Sequence, residues 1–338
     1  LMALPADERP GADQLSFVLL GDPNNPDGGM LSRFDVPGLP APTIPSLGVT
    51  FNGATPAETP WDTAIYTTEY DGFADFPKYP INLLADLNAL AGILTVHGAQ
   101  YYLTDAPLAT AIRLPVSADY DGDTTYWMIP TEQLPLTELI AMIPVVGQPL
   151  ADLLEPDLRV LVNLGYGSDP DVGWSTTGAN LPTPFGLFPS LDSEQFNAVL
   201  QALATGAQQG FEAFVGDLSH LSLTDGTQSA SDMANLFDTP DPSSLPSLTD
   251  IVNALSGAVS SAYATLLPTA DIVNALITTL PAFDISLFFH ELMTGDLLDA
   301  VGLPVAATVG LTTIAIGFEL FPIANALADI SADLGALF

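Results

Sequence analysis

The stretch LSFVLLGDPNNPDGGMLSRF, Leu15–Phe34, constrains the fold most. Leu15–Leu20 is almost wholly apolar and stops at Gly21-Asp22-Pro23, where a loop with two prolines and the pair Gly28-Gly29 begins. A short apolar run that ends at Gly and Pro predicts a fully buried strand of a parallel sheet. Ligands of open α/β sheets bind at the carboxyl ends of strands, so the loop from Asp22 to Arg33 stands where chemistry usually occurs. The competing reading is an ordinary structural turn.

Charge narrows the function classes. The 338-residue chain carries 40 acidic and 5 basic residues, a formal charge of -35. Such a chain repels nucleic-acid phosphates and does not dock electrostatically on anionic membranes. Arg9, Arg33, Lys78, Arg113 and Arg159 all precede residue 160, an asymmetry that suggests two regions with different roles. Without cysteine there are no disulfides, no thiol catalysis and no thiolate metal sites. His97, His220 and His290 are far apart and show no metal-ligand spacing, so no metal site and no cofactor is expected. Carboxylate-only calcium binding is the one metal chemistry the composition leaves. The segment from Leu1 to Gln14 reads as a helix end and a polar loop; it lacks the basic start and long apolar core of a signal peptide. The chain opens on Leu rather than Met, which suggests a fragment or processed product.

Along the chain, residues 35–62 carry six prolines and read as an irregular surface excursion. Thr63–Tyr70 and Thr124–Ile129 read as strands. Ile81–Val96 reads as a helix whose apolar face is Leu83, Leu84, Leu87, Leu90 and Ile93/Leu94. Thr131–Leu154 reads as two short helices parted by Pro144 and Gly147, followed by an apolar segment from Arg159 to Tyr166. The expected division is an α/β unit over residues 1–185 and an acidic, Ala/Leu-rich all-helical extension over 186–338, with a linker at Asp238–Pro246. The stretch from Ala300 to Phe318 carries no charge and is near bilayer-spanning length. Its glycines, Pro304 and lack of basic flanks favour a buried or partner-facing helix.

The densest chemistry is Asp71-Gly72-Phe73-Ala74-Asp75-Phe76-Pro77 followed by His97. A carboxylate that orients a histidine, which in turn deprotonates a serine, is the Ser-His-Asp arrangement. In α/β-hydrolases the acid precedes the histidine, as here. Asp71 sits at a strand end. Asp75 sits in a G-x-x-D-x-P turn that resembles the acid turn of many α/β-hydrolases, and this favours Asp75, with Asp71 as the alternative. Ordinary roles also exist for each: turn or cap residues for the acids, a helix C-terminal residue for His97. No G-x-S-x-G nucleophile elbow is present; Gly165-Tyr166-Gly167-Ser168 has the wrong spacing and follows the histidine.

The stretches LSFVLLGDPNNPDGGMLSRF, YDGFADFPKYPINLLADLNALAGILTVHGAQYY and YWMIPTEQLPLTELIAMIPVVGQPLADLLEPDLRVLVNLGYG, in order over residues 10–175, together resemble the PE-PPE domain of mycobacteria. The resemblance implies a partial, cutinase-like serine α/β-hydrolase of the lipase type: a parallel sheet with helices, followed by the helical extension. It implies an esterase or acyltransferase acting on fatty acyl esters of lipids or cell-envelope glycolipids, secreted or in the cell envelope, with membrane or envelope association. His97 matches the family's histidine and Asp75 (or Asp71) its acid. The serine would come from a missing N-terminal segment or a partner chain. Gly28 and Gly29 are candidates for close backbone approach to a substrate, and Tyr101, with Tyr102, Tyr126 and Trp127, for an acyl channel. The alternative is a catalytically inactive cell-envelope binding or interaction module, supported by the absent elbow.

Overall fold

The computed structural model describes residues 1, 4–5, 7–39, 41–98, 104–220 and 247–335. A four-stranded sheet organises the N-terminal half, in the order β1 (Phe17–Leu20), β4 (Thr63–Thr68), β6 (Thr124–Ile129), β5 (Ile112–Arg113). β1, β4 and β6 are parallel, with Phe17 opposite Thr63 and Thr63 opposite Thr124; β5 adds an antiparallel edge. The fold class is thus α/β with a mostly parallel sheet and an all-helical C-terminal region. Among the described residues, the excursion at 35–62 carries a short hairpin, β2 (Thr43–Ile44) and β3 (Val49–Thr50), joined by a 3₁₀ turn at Pro45–Leu47. Ahead of β1, the described residues form turns rather than the expected helix end.

β1 differs from expectation. Its sequence suits a strand covered on both faces, yet it lies at the sheet edge, and Val18 is 65% exposed. β4 and β6 occupy the interior instead, with Ile65 and Tyr126 buried against Ala179. Edge position leaves one row of β1 backbone groups without a partner strand among the described residues.

Helix α1 (Leu83–Thr95) also departs from its predicted face. Asn82 caps it by accepting from Ala85 N–H. Its buried residues are mostly small or polar: Ala85, Asp86, Asn88, Ala89, Ala91, Gly92 and Ile93. Leu83, Leu87 and Leu94 face outward. Leu84, Leu90 and Ile93 do pack inward; close backbone approach explains the outward three, because a wholly leucine face would hold α1 too far from the turn after β4. α2 (Asp105–Ala109) is short. α3 (Pro135–Ala141) and α4 (Gly147–Asn163) follow, and α4 continues through Pro156, absorbing most of the segment expected to be separate. α5 (Ser193–His220) lies along α4, with Gly210 against the Leu153 carbonyl.

The C-terminal helices are α6 (Leu248–Ala264), α7 (Leu266–Asn274), α8 (Leu280–Thr294) and α9 (Leu297–Gly335), with a π-helical stretch at Ala275–Thr279. Gly295, at φ +91°, ends α8 in the left-handed region that glycine tolerates. Thr249–Thr294 and Leu297–Asp333 are each long and apolar enough to cross a membrane by length and composition, a criterion that core helices also meet. In α9 the uncharged stretch does enter the core: Leu311 and Ile314 are fully buried.

That core is shared between the two halves. Met30, Phe34, Phe76 and Ile93 pack in one cluster with Phe283 and Leu287 of α8 and Leu311 and Ile314 of α9. Phe34 is its hub, with edge-to-face contacts to Phe51, Phe185 and Phe283 at ring-centroid distances of 4.8, 5.1 and 5.4 Å. Glycines let α9 approach: a Cβ at Gly310 would meet the Phe185 ring, and one at Gly317 would meet Leu90 of α1.

A buried carboxyl lies in this seam. Asp86 of α1 accepts a 3.0 Å hydrogen bond from Thr313 of α9 through one oxygen; the other has no partner. Burial pushes the Asp86 carboxyl up to about 8, which the Thr313 bond only partly offsets. The folded protein therefore holds this proton where the unfolded chain has released it. Stability contributed by the neutral carboxyl is full below about pH 4 and falls as pH rises toward 8, by up to about 1.4 kcal/mol per pH unit. Asp86→Asn should flatten the dependence of Tm on pH between about 5 and 8, with its largest gain at the alkaline end, as read by thermal melts across that range.

Candidate active site

β4 ends at Thr68, and the chain turns sharply through Tyr70, a non-glycine residue at φ +63°. Such a conformation costs on the order of 1 kcal/mol and persists where its surroundings hold it. Here they do. Tyr70 is fully buried, its hydroxyl donates to Asn163 Oδ1 at 2.7 Å, and its N–H donates to Asp75 Oδ2 at 3.0 Å. Asp71 follows at the carboxyl end of a central parallel strand.

Two glycines bring α1 onto this turn. A Cβ at Gly92 would strike the Tyr70 carbonyl oxygen, and one at Gly72 would strike that of Ala89. Neither position has room for any other residue. The approach carries His97, just beyond the end of α1, to Asp71. Its Nδ1 lies 3.0 Å from both carboxylate oxygens. The Asp71 side chain is fully buried, while the His97 side chain is 22% exposed. One Asp71 oxygen also accepts from Phe73 N–H at 2.9 Å. The Phe73 ring lies edge-on to the imidazole, with centroids 4.5 Å apart. A carboxylate facing Nδ1 keeps the proton on that nitrogen, so Nε2 carries the lone pair that can accept a proton.

The acid that meets His97 is therefore Asp71, the alternative; Asp75, the residue the turn pattern favoured, is held elsewhere. Asp75 is buried and bonded to Tyr70 N–H, and desolvation pushes its carboxyl well above the usual range. Its geometry is that of a clamp on the strained turn. Arg33 nearby is fully buried and donates to the carbonyls of Phe76 and Thr183, tying the Asp22–Arg33 loop to the same turn.

The glycine pair is also used internally. Gly28 has φ +135°, and a Cβ there would meet the Ala74 carbonyl; one at Gly29 would meet the backbone of Pro23 and Asn25. Both are buried, and the close approach they permit here is to the chain itself. Tyr101 and Tyr102 lie outside the described residues. Tyr126 is a core residue beside Ile65, and Trp127 stacks on Tyr66. No group of three or more His, Cys, Asp or Glu suited to hold a metal ion occurs among the described residues. Sequence reasoning missed Phe73 and the Gly72/Gly92 pair. A glycine inside an otherwise Leu/Ala-rich helix was the one signal available for the latter.

The profile of the PE-PPE domain matches residues 1–167, the span that holds Asp71 and His97. Residues 1–167 are a PE-PPE domain. The PPE family protein PPE28 of Mycobacterium tuberculosis is 43% identical over 99% of this chain and 52% of its own length. Esterase PE16 of the same organism is 54% identical over 56% of this chain and 33% of its own length. SL1278 acyltransferase Chp1, also from that organism, is 34% identical over 48% of this chain and 38% of its own. The chain thus spans about half or less of these relatives. No solved structure matches it. The relatives of this PE-PPE domain include an esterase and an acyltransferase.

Helix propensity and packing make opposite demands at Gly92 of the PE-PPE domain. Alanine at an exposed helix position would gain about 0.5–1 kcal/mol over glycine. Here the added methyl would strike the Tyr70 carbonyl, so Gly92→Ala should instead destabilise by about 1–3 kcal/mol, as overpacking does. Urea denaturation reads the sign, and the His97 imidazole NMR signals should shift as the Asp71 contact loosens.

Proposed function

We propose that Asp71 and His97 are the acid and base of a serine esterase or acyltransferase site acting on fatty acyl esters. One observation carries the reading. A buried carboxylate at the carboxyl end of a parallel strand contacts Nδ1 of a partly exposed histidine, in a domain whose relatives include an esterase and an acyltransferase. In this role Asp71 orients the ring and stabilises the imidazolium. His97 Nε2 takes the proton of the serine hydroxyl as that oxygen attacks the ester carbonyl, then returns it to the leaving alkoxide. Water or a second hydroxyl then accepts the acyl group from the serine by the reverse proton path.

On this reading the nucleophile comes from outside this chain, a view supported by the lack of any G-x-S-x-G in it. The β1 edge suits its delivery. A further parallel strand hydrogen-bonded there would pair the open backbone row and end on the same side of the sheet as Asp71. The serine-bearing segment is accordingly a preceding stretch or a partner chain.

The test needs a protein that carries this domain together with such a segment. There, His97→Ala or Asp71→Ala should lower kcat/KM for p-nitrophenyl acyl esters by about 10²–10⁴-fold. Asp75→Asn should act first on thermal stability. Full activity in His97→Ala would refute the assignment; no turnover in the unaltered protein would leave the inactive binding module as the better reading. Labelling by a fluorophosphonate should likewise require the added segment.

A further inference from the structure

We propose that α9 forms the acyl-binding wall of the site, through Phe318 and Phe321. The inference rests on the Asp71–His97 reading for the location of the reaction, and it concerns residues far outside the 1–167 domain match.

The aromatic surface beside the histidine continues onto α9. From the imidazole, the next ring is Phe73, at 4.5 Å. Phe318 tilts against Phe73 with centroids 5.8 Å apart, and Phe321 stacks nearly parallel to it at 6.3 Å and 17°. Residues 318 and 321 are three apart, so one face of α9 presents both rings. Phe321 remains 36% exposed, and Phe73 and Phe318 are partly buried. The rings thus make an apolar strip that runs from the proposed base to solvent.

Three contacts fix α9 at this height. Gly310 meets the Phe185 ring, Thr313 bonds Asp86, and Gly317 meets Leu90. They fall on the turns just before Phe318, so α9 is held at several points besides the contact that Phe318 itself makes with the shared core.

The charge pattern specifies the ligand. No Lys or Arg occurs after Arg159, so nothing on α9 can pair with a carboxylate, and the net charge of -35 repels one. Apolar rings with no cation suit the hydrocarbon of a neutral ester and disfavour a free fatty acid.

The test is equilibrium binding of uncharged alkyl methyl ketones of increasing length, read by displacement of a pyrene-labelled fatty acyl methyl ester from the whole chain. In the unaltered protein, affinity should rise by about threefold to fourfold per methylene over the lengths that cover the strip. Phe318→Ala with Phe321→Ala should flatten that slope and cost at least about tenfold for the longest ketone, leaving the shortest within about twofold. Phe318→Leu with Phe321→Leu should restore most of the slope. An unchanged slope in the alanine pair, an equal loss at every length, or no binding of the series would overturn the proposal. His97→Ala should leave the slope intact, so this result is independent of whether His97 is the base.

Discussion

The contact on which the rest depends is between backbone and backbone. Gly92 of α1 rests on the Tyr70 carbonyl, and Gly72 rests on the Ala89 carbonyl. Each glycine makes room for the other segment, so helix and turn approach more closely than any side chain would allow. Everything near the histidine follows from that distance. The turn is kept in its unfavourable conformation by Asp75 and by the Tyr70–Asn163 hydrogen bond. Asp71 is thereby buried at the strand end, and the next turn of chain after α1 has one place to put an imidazole. The pairing of Asp71 with His97 is a by-product of helix–turn packing.

The second organising element is the core shared by the two halves. Phe34 follows the loop after β1, yet one of its ring partners, Phe283, belongs to α8 near the other end of the chain. The C-terminal helices complete the hydrophobic cluster that holds the loop and the turn. This explains why the apolar stretch of α9 is uncharged: Leu311 and Ile314 replace solvent around Met30, Phe34 and Phe76. It also explains how a region without a single Lys or Arg is held in place, since burial secures it.

Much of this was legible in the sequence, and the parts that were not share a cause. The strands at Thr63 and Thr124, the helix from Leu83 and the long C-terminal helices all follow from periodicity. Charge and the absence of cysteine narrowed the chemistry. The order acid then histidine pointed to a segment in which the fold does join an aspartate to His97, but which of Asp71 and Asp75 it is depends on tertiary packing. A local pattern describes a turn, whereas the partner of His97 is decided by how a helix lands on it. The outward leucines of α1 and the inward use of Gly28 and Gly29 escaped for the same reason. Periodicity assumes that large apolar groups face inward, and it fails where backbone must meet backbone. Edge or interior placement of β1 is likewise invisible in its residues, because an apolar run reads alike in either position.

The exposed edge of β1 bears on how the chain behaves as a solute. A parallel strand with Val18 open and no proline or lysine in it has none of the usual guards against pairing with a second molecule. The guard is the acidic surface of the whole particle, which keeps copies apart by repulsion. That protection is conditional on the medium: the screening length is about 10 Å at 0.1 M salt and only about 3 Å at 1 M. Concentrated salt thus removes the barrier while leaving the sticky edge unchanged. Colloidal stability of this chain is a property of the buffer as much as of the fold.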